Sequence, residues 1–182
     1  MVILLKKIQR VSTPRNILVM FAIAAFLMII MALVIQPAIL AASGGIPILD
    51  IRLSYTYQDA VDLFTALGSY GRALYSLQQG VDLFFPAAFG ITLALIIGYL
   101  TGKLSPGQHE KSFILSVPLI GAVFDYAENS LIAFQLASFP NLSQLVIEMA
   151  SYMTMLKWFF DFTAIIVILL LVLVLAYKRM RA

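Results

Sequence analysis

The chain has no cysteine and a single histidine among its 182 residues. The first absence excludes disulfides, a thiolate nucleophile, zinc–thiolate sites and iron–sulfur clusters. The second excludes a bis-histidine haem or a three-histidine metal centre, because His109 stands alone. Charge is also scarce, at 12% of residues against 62% hydrophobic. That balance lies outside the soluble globular range and belongs to polytopic membrane proteins. The net charge of +3 is no nucleic-acid footprint, since Lys and Arg gather at the chain ends and in one loop. No Walker motif, dinucleotide fingerprint, HExxH or GxSxG occurs, so no cofactor and no metal are expected.

What remains is long apolar runs. Four stand out, at roughly residues 16–42, 81–101, 113–137 and 153–177. Each suffices to cross about 30 Å of hydrocarbon at about 1.5 Å per residue. The first follows a basic start, as a signal peptide would, but its apolar run is too long for that and reads as a retained span. Lys6, Lys7, Arg10 and Arg15 precede the first run, Lys103 and Lys111 lie between the second and third, and Lys178, Arg179 and Arg181 follow the fourth. Four spans put all of these on one side, which the positive-inside rule makes cytoplasmic. The expectation is an all-α, integral membrane four-helix bundle in the cell (inner) membrane, with both termini cytoplasmic.

Residues 43–79 then form an extracytoplasmic helical insertion between spans one and two. "SYTYQDAVDLFTALG" predicts a short amphipathic helix, capped by Thr56 and stopped at Gly68, with Leu63, Phe64 and Leu67 on its apolar face. A second helix is expected from near Arg72 into span two, weakened at Gly80 and kinked at Pro86. "TGKLSPGQHEK", which carries His109, reads as a tight cytoplasmic loop. In "SFPNLSQ", Asn141 or Ser143 is expected to cap the helix that leads into span four.

The apolar runs contain ionisable residues that hydrocarbon does not tolerate. Asp125 is near the middle of span three, Glu128 is one turn further out, and Asn129 shares the face of Asp125 by i, i+4 spacing. Lys157 and Asp161 are i, i+4 neighbours on span four. Arg72, Tyr75, Gln79 and Asp82 make a heptad-like stripe that continues to Pro86. Asp125, Glu128 and Asp161 exposed to lipid would together cost on the order of 8–10 kcal/mol. They are therefore expected to face the bundle interior and find partners. Four acids (Asp82, Asp125, Glu128, Asp161) then face two bases (Arg72, Lys157). The surplus calls for a protonated carboxylic acid or a bound cation. Asp125, deepest and taken to be furthest from Lys157, is the expected neutral acid, with Glu128 charged against a base.

"LGSYGRALY" at 67–75, "VDLFFPAAFG" at 81–90, "FDYAENSLI" at 124–132 and "LKWFFDF" at 156–162 resemble an uncharacterised family of small four-span bacterial membrane proteins with LGxxGRxxY, DxxFP and DYxEN motifs. The resemblance covers roughly residues 50–165. It implies the four-span bundle and carries no activity. Intramembrane prenyl transferases pair two aspartate-rich motifs around magnesium and diphosphate, and the single "DYAEN" argues against that chemistry.

Three functions fit these residues. The first is an outward-facing polar pocket that binds a lipid-like molecule and acts on it by acid–base chemistry. Asp125 and Glu128 would handle the proton, Asn129 and Tyr75 would orient the ligand, and Arg72 or Lys157 would hold an anionic head group, beside Asp82 and Asp161. The second is a structural or accessory subunit whose polar cluster only fixes helix packing. The third is proton- or cation-coupled transport, which four spans without an internal repeat disfavour unless the protein oligomerises. The expected partners are membrane lipid, a lipid-like small molecule and a homo-oligomer or larger membrane complex, with no nucleic acid.

Overall fold

Every regular element among the described residues is helical. The computed structural model describes residues 2–104 and 110–181, with side chains for 7–104 and 113–181. His109 and its loop lie outside the described residues. A short amphipathic helix, α1 (Val2–Val11), leads to α2 (Pro14–Ile30). Thr13 caps α2 by accepting the Asn16 N–H, and Pro14 supplies a first-turn residue that has no N–H to leave unpaired. The helix then widens into a π-segment, Met31–Ile35, before α3 (Gln36–Ala42). The cause is local: Pro37 has no amide proton, and Gln36 N–H reaches back to Met31 O.

After a loop with one 3₁₀ turn at Leu49–Ile51 come α4 (Tyr57–Ala66) and α5 (Gly68–Asp82). Thr56 and Asp59 close a reciprocal capping box at the start of α4. Gly68 takes φ +58 at the bend between the two helices, a left-handed value that suits glycine. Leu63, Phe64 and Leu67 are buried against the bundle. The second helix thus begins at Gly68 and not near Arg72, since Gly68 both turns the chain and opens α5. Gly80 does not interrupt α5. The break falls at Leu83–Phe84, and α6 (Phe85–Leu104) starts with Pro86 as its second residue, where a missing N–H costs no hydrogen bond.

The last two helices, α7 (Ser116–Ser138) and α8 (Gln144–Met180), form an antiparallel hairpin. Gln135 Oε1 accepts the Ser143 N–H at 2.7 Å and closes its turn. Ser143 occupies the cap position of α8, without a side-chain cap bond. Helix α6 is central, packed by α2 on one side and by α7 and α8 on the other. At Gly90, α6 comes so close to α7 that a Cβ would lie 3.0 Å from Pro118 O.

Three helices are long and apolar enough to cross a membrane: Pro14–Ala42, Gly68–Leu104 and Gln144–Met180. Large side chains such as Phe21, Phe26 and Leu33 on the first and Leu169, Leu170 and Leu173 on the last stay exposed, as lipid-facing surfaces do. With 23 residues, α7 is about 35 Å long at 1.5 Å per residue, but carries Asp125, Glu128 and Asn129 in its middle. Two apolar clusters bracket those residues. One holds Leu63, Phe64, Tyr75, Ile132 and Ile147 at the α4 end. The other holds Leu93, Ile97, Leu115 and Ala164 at the opposite end.

Candidate functional site

The polar residues form one layer between the two clusters. Helices α7 and α8 face each other along this layer, so Glu128, Asp125 and Lys157 meet. Lys157 Nζ lies 2.5 Å from Glu128 Oε2 and 3.5 Å from Asp125 Oδ1. It also donates to Asp50 O at 3.1 Å. Two ion pairs and one hydrogen bond thus hold the ammonium, which is almost fully buried. Asp125 is not remote from Lys157, as its place on the helix had suggested. The four-carbon stem of lysine spans the turn that separates the two carboxylates.

Glu128 is fully buried, and its other oxygen accepts from Thr154 Oγ1 at 2.6 Å. Thr154 Oγ1 also lies 3.4 Å from Tyr55 Oη. Burial first, and then the charge of Glu128, raise the Tyr55 phenol well above its ordinary range, so it remains protonated. Asn129 Nδ2 donates to Asp82 Oδ2 at 3.1 Å and ties α7 to the end of α5.

The stripe on α5 does turn inward at Tyr75, Gln79 and Asp82. Its partner is an acid that the sequence did not single out. Asp50, in the 3₁₀ turn after α3, is buried and accepts from Tyr75 Oη and, at 2.6 Å, from Gln79 Nε2. Nothing periodic marks Asp50. Gln78, by contrast, had a signal: it is three residues after Tyr75 and four before Asp82, hence on the same face. It is 2% exposed and its Oε1 has no hydrogen-bond partner.

Arg72 is not part of the layer. Its Nη1 donates to Phe64 O at 2.8 Å and its guanidinium lies 3.9 Å from the Phe139 ring centroid. Among the described residues no carboxylate pairs with it. Asp161 is half-buried against α7 beside Gly121, where a Cβ would lie 2.6 Å from its Oδ1. It makes no ion pair with Lys157, whose ammonium is turned toward Glu128 and Asp125. The layer therefore holds five acids, Asp50, Asp82, Asp125, Glu128 and Asp161, and one base, Lys157.

A cavity of about 370 Å³ opens at this layer, a size within the usual range for small-molecule sites of roughly 300–1,000 Å³. Asp50, Asp82, Asp125, Asp161, Lys157 and Gln78 form its polar wall. Met28 and Met31 of the first long apolar helix, with Phe85, Phe89 and Trp158, form its apolar wall. Ala32 of the π-segment and Gln36, the first residue of α3, line it as well. Since α2 packs on α6 and makes no extended contact with α8 among the described residues, the cavity sits at a seam between α2 and α8. Glu128 and Asn129 are behind the wall and not on it. Among the described residues no three acids or histidines gather closely enough to hold a metal ion.

Comparisons of the chain with family models, with curated proteins and with solved structures return no match.

Proposed function

We propose that this chain is a four-span protein of the cell membrane, with both termini cytoplasmic, and that its intramembrane polar cavity binds a lipid-like molecule. Helix α7 is the fourth span in this reading. Its carboxylates face Lys157, and α6 and α8 cover them, so it need not be as apolar as its neighbours. Residues 43–67 and the start of α5 then form the extracytoplasmic helical cap. One observation carries the binding reading: a cavity of about 370 Å³ with acids on one wall and Met, Phe and Trp on the other, at a seam between two apolar helices. Such a site suits a molecule with one polar and one apolar end, entering from the bilayer. Asp125 is the group placed for acid–base chemistry, since it reaches both the cavity and Lys157.

A structural role is supported for a different part of the layer. Glu128, behind the cavity wall, pairs with Lys157 and accepts from Thr154, and Lys157 in turn donates to Asp50 O, so that α7, α8 and the Asp50 loop are joined. A transport path draws little support, because Leu93, Ile97, Leu115 and Ala164 close the layer on one side with apolar packing.

Native mass spectrometry of the protein extracted in a mild detergent tests the binding reading. A lipid-like adduct is expected on the wild type and on Leu33→Trp, whose site is 71% exposed, and is expected to be lost on Ala32→Trp in the cavity lining. No adduct on the wild type, or equal retention by both variants, overturns it.

A further inference from the structure

We infer that the polar end of the molecule received by this cavity is an ammonium group carried on an apolar chain, that is, a long-chain amine with no phosphate beside it. The inference rests on the binding reading above and deepens it.

The cavity is rich in acceptors and poor in donors. Asp50, Asp82, Asp125 and Asp161 line it, against Lys157 alone. The Lys157 ammonium is held in ion pairs by Glu128 and Asp125 and donates to Asp50 O. Trp158 gives its indole N–H to Arg52 O at 2.9 Å. Only the amides of Gln36 and Gln78 remain as protein donors on the wall. Acceptors, by contrast, are left over. Asp161 makes no hydrogen bond among the described residues. Asp125 Oδ1 has no hydrogen-bond partner beyond its ion pair, and the buried carbonyl of Gln78 has none at all. Buried acceptors of this kind are paired in stable proteins.

An ammonium brings three donors and a positive charge to that surplus. The acids surround the cavity instead of converging on one point, as a metal would require. The wall also has an aromatic face suited to a cation, as Trp158 already lies 5.6 Å from Lys157 Nζ. A phosphate-bearing head group would meet the same acids with repulsion. The Met, Phe and Trp wall is left for the chain.

Trp158 lines the cavity and is the single tryptophan, so no other tryptophan contributes to its emission. The full chain is purified in a maltoside detergent at pH 7, where an alkylamine is protonated. Dodecylamine, N-dodecylacetamide and butylamine are titrated separately. Dodecylamine is expected to shift Trp158 emission at a concentration at least tenfold lower than the neutral amide of equal chain length. Butylamine is expected to need at least tenfold more than dodecylamine. The preference for amine over amide should fall below threefold in Asp82→Asn/Asp161→Asn and weaken in Gln78→Leu. If the amide equals the amine in the wild type, the ammonium assignment is overturned while the pocket stands. If butylamine equals dodecylamine, the long-chain assignment is overturned. If no probe moves Trp158, the pocket reading falls too. A full preference retained in the folded variants also overturns the inference.

Discussion

The ammonium of Lys157 lies 2.5 Å from Glu128 Oε2, a carboxylate with no solvent exposure. Removing one member of such a pair leaves the other charged and dry, typically a loss of about 3–5 kcal/mol. Lys157→Met is expected to destabilise by that order, since Asp125 and Asp50 O lose the same partner. Lys157→Met/Glu128→Leu should recover part of the loss. Thermal unfolding in detergent gives the coupling through a double-mutant cycle. Losses that simply add would show that the two side chains are not energetically coupled.

The meeting of α7 and α8 at charged residues was legible in the sequence. Charges in the middle of apolar runs have few alternative partners, so Asp125, Glu128 and Lys157 are expected to find one another. Which acid Lys157 serves was not legible, since spacing fixes a face and not the reach of a four-carbon stem. Arg72 escaped for a similar reason: it shares the turn pattern of Tyr75 and Asp82, but its long side chain doubles back over Phe64 and Phe139. Asp50 gave no signal because an aspartate after "SGGIPIL" has the composition of a turn. Only its tertiary contacts with Tyr75, Gln79 and Lys157 bring it into the layer.

The absence of cysteine makes topology directly testable. Ala60 is a poor labelling site because it is fully buried. Gln58, the second residue of α4 and exposed, is suitable. Gln58→Cys should react with an impermeant maleimide on intact cells. Arg181→Cys, beyond α8 and exposed, should react only after permeabilisation. The reverse pattern would invert the proposed orientation.

Two helical glycines should respond in opposite directions. A Cβ on Gly90 would meet Pro118 O at 3.0 Å and Ala122 Cβ at 3.1 Å, and the backbone oxygen has little room to yield. Gly90→Ala is expected to destabilise by about 1–3 kcal/mol, as overpacking does. Gly80 has nothing within 4 Å of a new Cβ and is helical, in the last turn of α5. Gly80→Ala should stabilise by about 0.4–1 kcal/mol. Melting temperatures that move the same way for both would contradict the packing described here.

The cap of α4 sets a pH dependence outside the three long apolar helices. The Thr56 hydroxyl and backbone N–H donate to Asp59 Oδ2 at 2.6 and 2.7 Å, with Arg52 3.4 Å from its other oxygen. The Thr56 bonds first, and Arg52 after them, hold the Asp59 carboxyl below its ordinary value of about 4. The stabilisation is therefore complete above about pH 4 and is lost as pH falls through the lower folded value. The difference in melting temperature between wild type and Asp59→Asn should be full at pH 7 and shrink below pH 4. Thr56→Ala should cost about 1 kcal/mol at pH 7. A difference that does not change with pH would remove the charge from the capping argument.

Asp125 and Glu128 are one turn apart on α7 and should nonetheless divide their roles. Glu128 is buried behind the cavity wall, bound by Lys157 and Thr154, and belongs to the packing of the bundle. Asp125 is on the wall, 3.5 Å from the same ammonium, with Oδ1 otherwise unpaired. Glu128→Gln removes the charge closest to Lys157 and should therefore destabilise by several kcal/mol. Asp125→Asn leaves the Glu128 contact in place and should cost less than Glu128→Gln. Its effect should appear at the cavity, as a changed response of Trp158 emission to an alkylamine. Unfolding and fluorescence measured on the same two variants separate the roles. If Asp125→Asn unfolds the protein while Glu128→Gln does not, the assignment is reversed. If neither changes the Trp158 response and both unfold equally, both carboxylates serve packing alone.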